Sequence, residues 1–345
     1  MKNRRVISNK LDVFDFFSKN PSIYVGLNSA FVSKVKALIL NKYKTLKGFN
    51  REFLKIDYPN LKHDFQKAKY HSITRWLKII KAFNIDREEF FENITCFRVN
   101  GSHSKSPIIL SRIVEFDEKF MEGYALYIAE GDTGLSGKKI PGKLRFTNAN
   151  LDVIKFFINW IKTYFPQNSF YVNAVFPAGI VAAGNFSKGI SERLDIEIDK
   201  IKIKNDSYNK IVKYRVCLDS VIVIRLVLAL DSTIKTLCKN NKPLAVSYIK
   251  GIMAGEGTIY FNRSRYVRIE MRNENEIRYV HSLLSGLGYN CKVSMRSERR
   301  GMCSIFIGAK QLEKFYNEIG FGSELNRQNL LKLAVDKKLR VNQYI

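Results

Sequence analysis

Apolar residues recur along this chain at two spacings, and the change from one to the other divides it. Through the first hundred residues the spacing is helical: Val35, Leu38 and Ile39, then Ile73, Trp76, Leu77 and Ile80, fall on single faces of a 3.6-residue turn. They predict short helices over 31–43, 50–55, 61–65, 72–83 and 87–93, with Ser72 as one N-cap and Asp86 as another, Glu89 standing at the capping-box position. A small all-α domain over 1–110 is expected. Within it, 45–76 has the short helices and tight turns of a helix-turn-helix, with 60–67 as the recognition piece; a structural or RNA-contacting role fits the same residues.

From 95 to 111 the text turns polar, a strand and then a Ser-rich linker, and beyond it strands and helices alternate. The first pass runs helix 116–129, a glycine-rich turn, strand 143–147, helix 151–164, strand 169–175, a helix-like 187–197, strands 200–204 and 213–219, and helix 221–239. A second pass runs helix 244–255, strands 258–262 and 266–272, helix 274–287, strands 291–296 and 303–308, and helices 310–319 and 326–338. The shared order predicts an internal repeat over 111–240 and 241–345, the first copy carrying extra length over 187–210.

Composition changes this picture through charge alone. The 345 residues hold 58 Lys and Arg against 32 Asp and Glu, a net +26 that attracts polyanions. Nucleic acid fits best, because the positive residues are spread from Lys2 to Arg340 among Tyr, Asn and Ser; an anionic membrane surface would call for a basic amphipathic helix or a polybasic tail. The apolar run 221–230 is broken by Arg225 and too short to span a bilayer, and the N-terminus lacks a signal peptide's apolar stretch, so an intracellular location is expected. Cys96, Cys217, Cys238, Cys291 and Cys303 contain no CxxC pair, and His63, His71, His103 and His281 have no metal-site spacing.

The repeat is most visible at its head. Gly-Tyr-Ala-Leu-Tyr-Ile-Ala-Glu-Gly at 123–131 lies on Ile-Lys-Gly-Ile-Met-Ala-Gly-Glu-Gly at 249–257, so each helix ends in a glutamate followed by glycine. Ala125 and Ala129 in the first helix, Gly251 and Gly255 in the second, put small residues four apart on one face, which lets two helices pack closely. Glu130 and Glu256 would then be neighbours at the negative ends of two helix dipoles, an arrangement that divalent cations relieve, Mg²⁺ being the ion suited to hard oxygen ligands. The glycines after the helices would permit a left-handed turn.

These two stretches resemble the LAGLIDADG motif, in its variants ending Ala-Glu-Gly and Gly-Glu-Gly, and the resemblance covers 115–338. It implies an α+β fold of two αββαββα repeats with pseudo-twofold symmetry, forming a DNA-binding saddle behind the all-α N-terminal domain. It also implies a monomeric homing endonuclease, which makes a site-specific, metal-dependent double-strand break in DNA across the minor groove. By the same resemblance the metal would fall on Glu130 and Glu256, helped by the main-chain carbonyls of Ala129 and Gly255. Asn148 and Asn273 are the nearest matches to the family's water-orienting polar residues, and Lys143 and Arg263 to its assisting basic residues. The chain departs from the pattern at Ala125, where glycine is usual, and in the blurred strand at 131–142. A non-cleaving DNA-binding regulator and an RNA-binding intron maturase, both derived from this family, stay open as rival readings.

Strand alternation supplies the binding face. Lys143, Arg145 and Thr147, then Tyr171 and Asn173, then Arg268, Glu270 and Arg272, then Lys292, Ser294 and Arg296 recur at every second position, and Arg263 and Arg265 join them. Apolar alternates such as Phe146, Ile269 and Met295 would face helices behind. A two-stranded ribbon of this kind fits the major groove of duplex DNA.

Overall fold

A computed structural model describes residues 9–17, 22–99, 107–132, 142–166, 168–178, 185–261, 264–296 and 301–336. Its N-terminal region contains the expected helices. Phe31, Val35 and Ile39 form the buried stripe of helix Ser29–Tyr43, and Ile73, Trp76, Ile79 and Ile80 that of Ile73–Ala82. Asp86 caps Arg87–Glu92 by accepting from the Glu88 amide, while Glu89 pairs with Lys34. Ser72 precedes its helix without capping it.

The region is not all-α. Ile23–Leu27 pairs with His71–Ser72 on one side and Ile94–Val99 on the other, an antiparallel three-stranded sheet. Ile94–Val99 is the strand expected near 95; the other two are too short for alternation to stand out between helices, but Ile23 and Val25 are buried on one face and the sheet closes the helical core. Lys10–Asp12 pairs with Ile113–Glu115, tying the start of the chain to the entrance of the first repeat.

The two repeats follow the order read from the sequence. The first runs from helix Glu118–Glu130 through strand Leu144–Asn148, helix Leu151–Tyr164 and strand Phe170–Pro177 to strand Lys213–Leu218. The second runs from helix Lys242–Glu256 through strands Gly257–Tyr260 and Tyr266–Met271, helix Glu274–Gly286, strands Lys292–Arg296 and Met302–Gly308, to helices Leu312–Glu318 and Leu325–Val335. In the second sheet Tyr266–Met271 and Met302–Gly308 are central; in the first, Leu144–Asn148 pairs with Lys213–Leu218, which pairs with Phe170–Pro177. The extra length of the first repeat is helix Phe186–Leu194 and strand Ile201–Asp206, which extends the sheet by pairing parallel to Phe170–Pro177. The expected helix over 221–239 is two, Val221–Ala229 and Asp231–Asn240.

The opening strand of the first repeat is reduced, among the described residues, to one bridge between Gly131 and Phe146. Gly257 pairs with Ile269 in the same way, which makes Phe146 and Ile269 equivalent. Counting along the strands from there, Asn148 matches Met271 and Asn150 matches Asn273.

The helices Glu118–Glu130 and Lys242–Glu256 pack against each other at the centre. A methyl group on Gly251 would stand 2.2 Å from the Glu122 carbonyl oxygen and 2.9 Å from Ala125 Cβ. One on Gly255 would stand 2.7 Å from Ala129 Cβ and 3.0 Å from Glu130 Cγ. The pair is therefore as close as its small residues permit. Towards the opposite end Tyr124 and Tyr248 lie 6.3 Å apart, and the Tyr248 hydroxyl donates to the buried Glu276, which Lys235 neutralises at 2.9 Å.

Candidate metal and nucleic-acid site

Each glutamate is placed by its own helix end. Gly131 and Gly257 follow with φ of -80° and -78°, extended backbone rather than the left-handed turn expected from glycine. Closeness is what demands glycine here: a Cβ on Gly131 would meet the Tyr127 carbonyl oxygen at 2.4 Å, and one on Gly257 that of Met253 at 2.5 Å. The chain can then leave directly into the sheet, with the carboxylates at the join.

Around Glu130 stands Asn148, whose Nδ2 approaches its Oε1 at 3.5 Å, as the sequence placed it. Lys143 does not stand there. It stands just before the strand that Asn148 ends, five residues and roughly 16 Å away along an extended chain, and is held by Asp219 at 2.8 Å and by the Tyr171 hydroxyl at 3.2 Å. The cation whose field reaches Glu130 from this sheet is Lys213. Its strand runs antiparallel to Leu144–Asn148, with Tyr214 opposite Asn148, so a residue remote in sequence arrives beside the site.

The second centre differs. Asn273 is the N-cap of helix Glu274–Gly286 and accepts from the Glu276 amide at 3.2 Å, the task Asn150 performs for its own helix. Met271 occupies the position equivalent to Asn148, and the charge of Glu270 from the same strand acts on Glu256. Arg263 lies outside the described residues. The cation present is Arg327, from the last helix. Its Nη1 donates to the Gly255 carbonyl at 3.1 Å, with Ala254 and Met253 oxygens at 3.3 and 3.5 Å, so one guanidinium serves the last carbonyls of the motif helix, of which Met253 also accepts from the Gly257 amide. Glu324 steadies it at 3.3 Å and accepts a hydrogen bond from Asn150 of the first repeat.

The sheet faces follow alternation in part. Lys143, Arg145 and Thr147 are partly exposed between buried Leu144 and Phe146, and Thr147 accepts from Arg215, a further cation on the neighbouring strand. Tyr171 is partly exposed, and Arg272, Lys292 and Ser294 are exposed. Arg265 is exposed too, donating to the Ala334 carbonyl. Nothing is described of the Arg296 side chain, which ends its strand. Three residues depart from the expected pattern. Asn173 is buried, and its amide nitrogen meets Cys217 Sγ at 3.4 Å. Arg268 is buried, bonded to Tyr260 and paired with Glu270 at 3.1 Å. Met295 is 56% exposed, since its strand is at the sheet edge.

Two close-packed helices that end in Ala-Glu-Gly and Gly-Glu-Gly, each leading a four-stranded sheet backed by helices, are the arrangement the motif implied. The chain has the LAGLIDADG fold. No protein-family model and no curated protein sequence matches it. Among solved structures it is similar to I-DmoI in complex with DNA and Mn, at 15% identity over 59% of this chain and 97% of that one, with a TM-score of 0.39. It is also similar to the N-terminal LAGLIDADG domain of WhiA, at 10% identity over 65% and 84% with a TM-score of 0.34. Full-length WhiA from Thermatoga maritima matches at 12% identity over 66% and 61% with a TM-score of 0.37, so the chain spans about three fifths of that protein.

Burial raises both motif carboxyls. Glu256 is pushed up to about 7 by burial first and by the Glu130 charge beside it next, with Arg327 opposing. Glu130 is raised by burial against the pull of Arg327 and Lys213. The donor set fits a hard divalent cation: two desolvated carboxylates at dipole-negative helix ends, under mutual repulsion. Among the described residues no group of three or more His, Cys, Asp or Glu is placed to hold a metal, so main-chain oxygens, water and a bound phosphate would complete the coordination.

The raised carboxyl has a consequence for stability. A glutamate near 4.5 when unfolded and near 7 when folded favours folding fully below 4.5, and that contribution is lost as pH rises through 7. The loss amounts to at most about 3.5 kcal/mol at roughly 1.4 kcal/mol per pH unit. Thermal unfolding in EDTA should show Tm falling from pH 5 to pH 8, with Ca²⁺ restoring it at the upper end. In Glu256→Gln the fall should be markedly shallower; an unchanged slope would show that Glu256 does not carry this coupling.

Proposed function

We propose that the chain is a LAGLIDADG homing endonuclease, a metal-dependent enzyme that makes a double-strand break in duplex DNA at a long site. The observation that carries this reading is the close approach of Gly255 to Ala129 and Glu130, which makes Glu130 and Glu256 neighbours. The field of the sheets' cations, Lys213 and Arg145 at the first and Arg272 and Lys292 at the second, favours phosphate nearby. Glu130 and Glu256 would hold a divalent cation, Mg²⁺ in the cell, which when bound supplies Lewis acidity to a scissile phosphate and makes water a better nucleophile. Asn148 orients a water against Glu130. Lys213 offsets negative charge at the first centre, and Arg327 does so between the two. The chain carries both acids itself, so a monomer suffices. No helix among the described residues is long and apolar enough to cross a membrane.

A second reading, a DNA-binding regulator of this fold that does not cut, is favoured by the second centre. There Met271 replaces the amide of Asn148, and Arg327 already occupies the Gly255 carbonyl. Incubating the full chain with a randomised duplex library and Mg²⁺ separates the two. The endonuclease yields paired ends in one family of sequences, and none in EDTA. A regulator protects sites and leaves no ends, and preference for folded intron RNA over duplex at equal salt would place the chain among RNA-splicing helpers.

A further inference from the structure

The N-terminal region contains a turn that is built with more care than a connection needs. Helix Leu46–Phe49, capped by Thr45, continues into the wider turn Asn50–Leu54 and stops at Lys55, which adopts φ +52°. The buried Asn50 then spans the bend, its Nδ2 donating to the Ile56 carbonyl at 2.7 Å and its Oδ1 accepting from the Ile56 amide at 3.2 Å. Three residues later helix Tyr58–Gln66 begins. An amide buried to bond both polar groups of one turn residue fixes the angle between two helices.

The second helix is held by one face only. Leu61 and Phe65 are buried, Phe65 lying 5.4 Å from Trp76, and its acid, Asp64, is turned inward to an ion pair with Arg75. What remains outward is Asn60, Lys62, His63, Gln66 and, just beyond the helix, Lys67, all exposed. The acids nearby are Asp57, just before the helix, which accepts from Asn60 Nδ2 at 3.1 Å, a bond that a base edge would replace, and Glu52, paired with Arg51 at 3.8 Å; Lys44, Lys47 and Lys55 are exposed on and around the helix before it. Amide side chains flanked by lysines match adenine and guanine edges in the major groove, and the surrounding cations match phosphate. A short helix behind a fixed turn is the geometry that enters that groove.

We propose that residues 46–66 form a helix-turn-helix whose second helix, Tyr58–Gln66, docks in the major groove of duplex DNA, reading bases through Asn60 and Gln66 and gripping phosphates through Lys62 and Lys67. This gives the chain a second recognition module, separate from the sheets. It rests on the DNA-binding part of the reading above and not on cleavage.

The test is binding-site selection with the full chain, in EDTA, from a duplex of 60 randomised base pairs. The wild type should recover two blocks of preferred bases separated by a spacer. Asn60→Ala/Gln66→Ala should lose one block, keep the other, and bind the wild-type site roughly 10- to 100-fold more weakly. Lys62→Ala/Lys67→Ala should keep both blocks, weaken all duplexes alike, and reduce the log–log salt slope by about 2. Because these side chains are exposed, Tm should stay at the wild-type value in both variants. A single block from the wild type, or the same two blocks from Asn60→Ala/Gln66→Ala, overturns the proposal while leaving the endonuclease reading intact. Two blocks without strand breaks in Mg²⁺ does the reverse.

Discussion

Replacing either motif glutamate by glutamine should abolish double-strand cleavage while leaving duplex binding within a few-fold of wild type. The carboxylates sit at two helix ends, where burial raises both and the Glu130 charge raises Glu256 further. Glutamine keeps the shape and removes the charge that would hold a cation. Lewis-acid stabilisation of the transition state is worth several kcal/mol, and at 1.36 kcal/mol per decade the loss is roughly a thousand-fold or more in rate. The two substitutions should not be equivalent. Glu130 keeps Asn148 and Lys213 beside it, whereas Glu256 has Met271 and Glu270 on its strand. Glu256→Gln should therefore retain the better-furnished centre and yield nicked product. Glu130→Gln should yield almost none. The measurement is conversion of supercoiled plasmid carrying a selected site to nicked and linear forms in Mg²⁺. Full linearisation by either variant would remove these residues from the chemistry.

Period and motif made most of the two-repeat region legible, because both act locally. The glutamates, the small faces at Ala125, Ala129, Gly251 and Gly255, and the order of strands all follow from spacing within one element. The assisting cations did not, since they come from elsewhere in the chain. Lys213 reaches the first centre only through antiparallel pairing with Leu144–Asn148, and Arg327 reaches the second from a helix that the sequence marks merely as the last. Asn273 was matched to Asn148 as the polar residue nearest the end of its strand, while sheet register pairs it with Asn150, so both are caps. The glycines after the helices were read for conformational freedom. What they supply is room against Tyr127 and Met253. In the N-terminal region the strand that begins near 95 was legible, but Ile23–Leu27 and His71–Ser72, five and two residues long, carried too little alternation to be separated from the helices around them.

The sharpest structural test falls on Gly251. A Cβ there would lie 2.2 Å from the Glu122 carbonyl oxygen and 2.9 Å from the Leu126 amide nitrogen, both main-chain atoms of a helix that cannot yield without moving as a unit. Gly251→Ala must therefore push the two motif helices apart. The helix Lys242–Glu256 is buried along most of its length, so separation opens space on both sides of it. Overpacking of this kind costs about 1–3 kcal/mol, and a backbone clash in a central pair belongs at or above the upper end, a large part of the 5–15 kcal/mol that hold a typical protein together. The control is Gly286→Ala, at the end of helix Glu274–Gly286, where the new methyl meets open space and the change should be neutral or stabilising by about 0.5–1 kcal/mol. Urea unfolding of the two variants reads the difference directly. Equal stability would mean that the helices stand further apart than 2.2 Å implies, and Glu130 and Glu256 would then no longer share one cation.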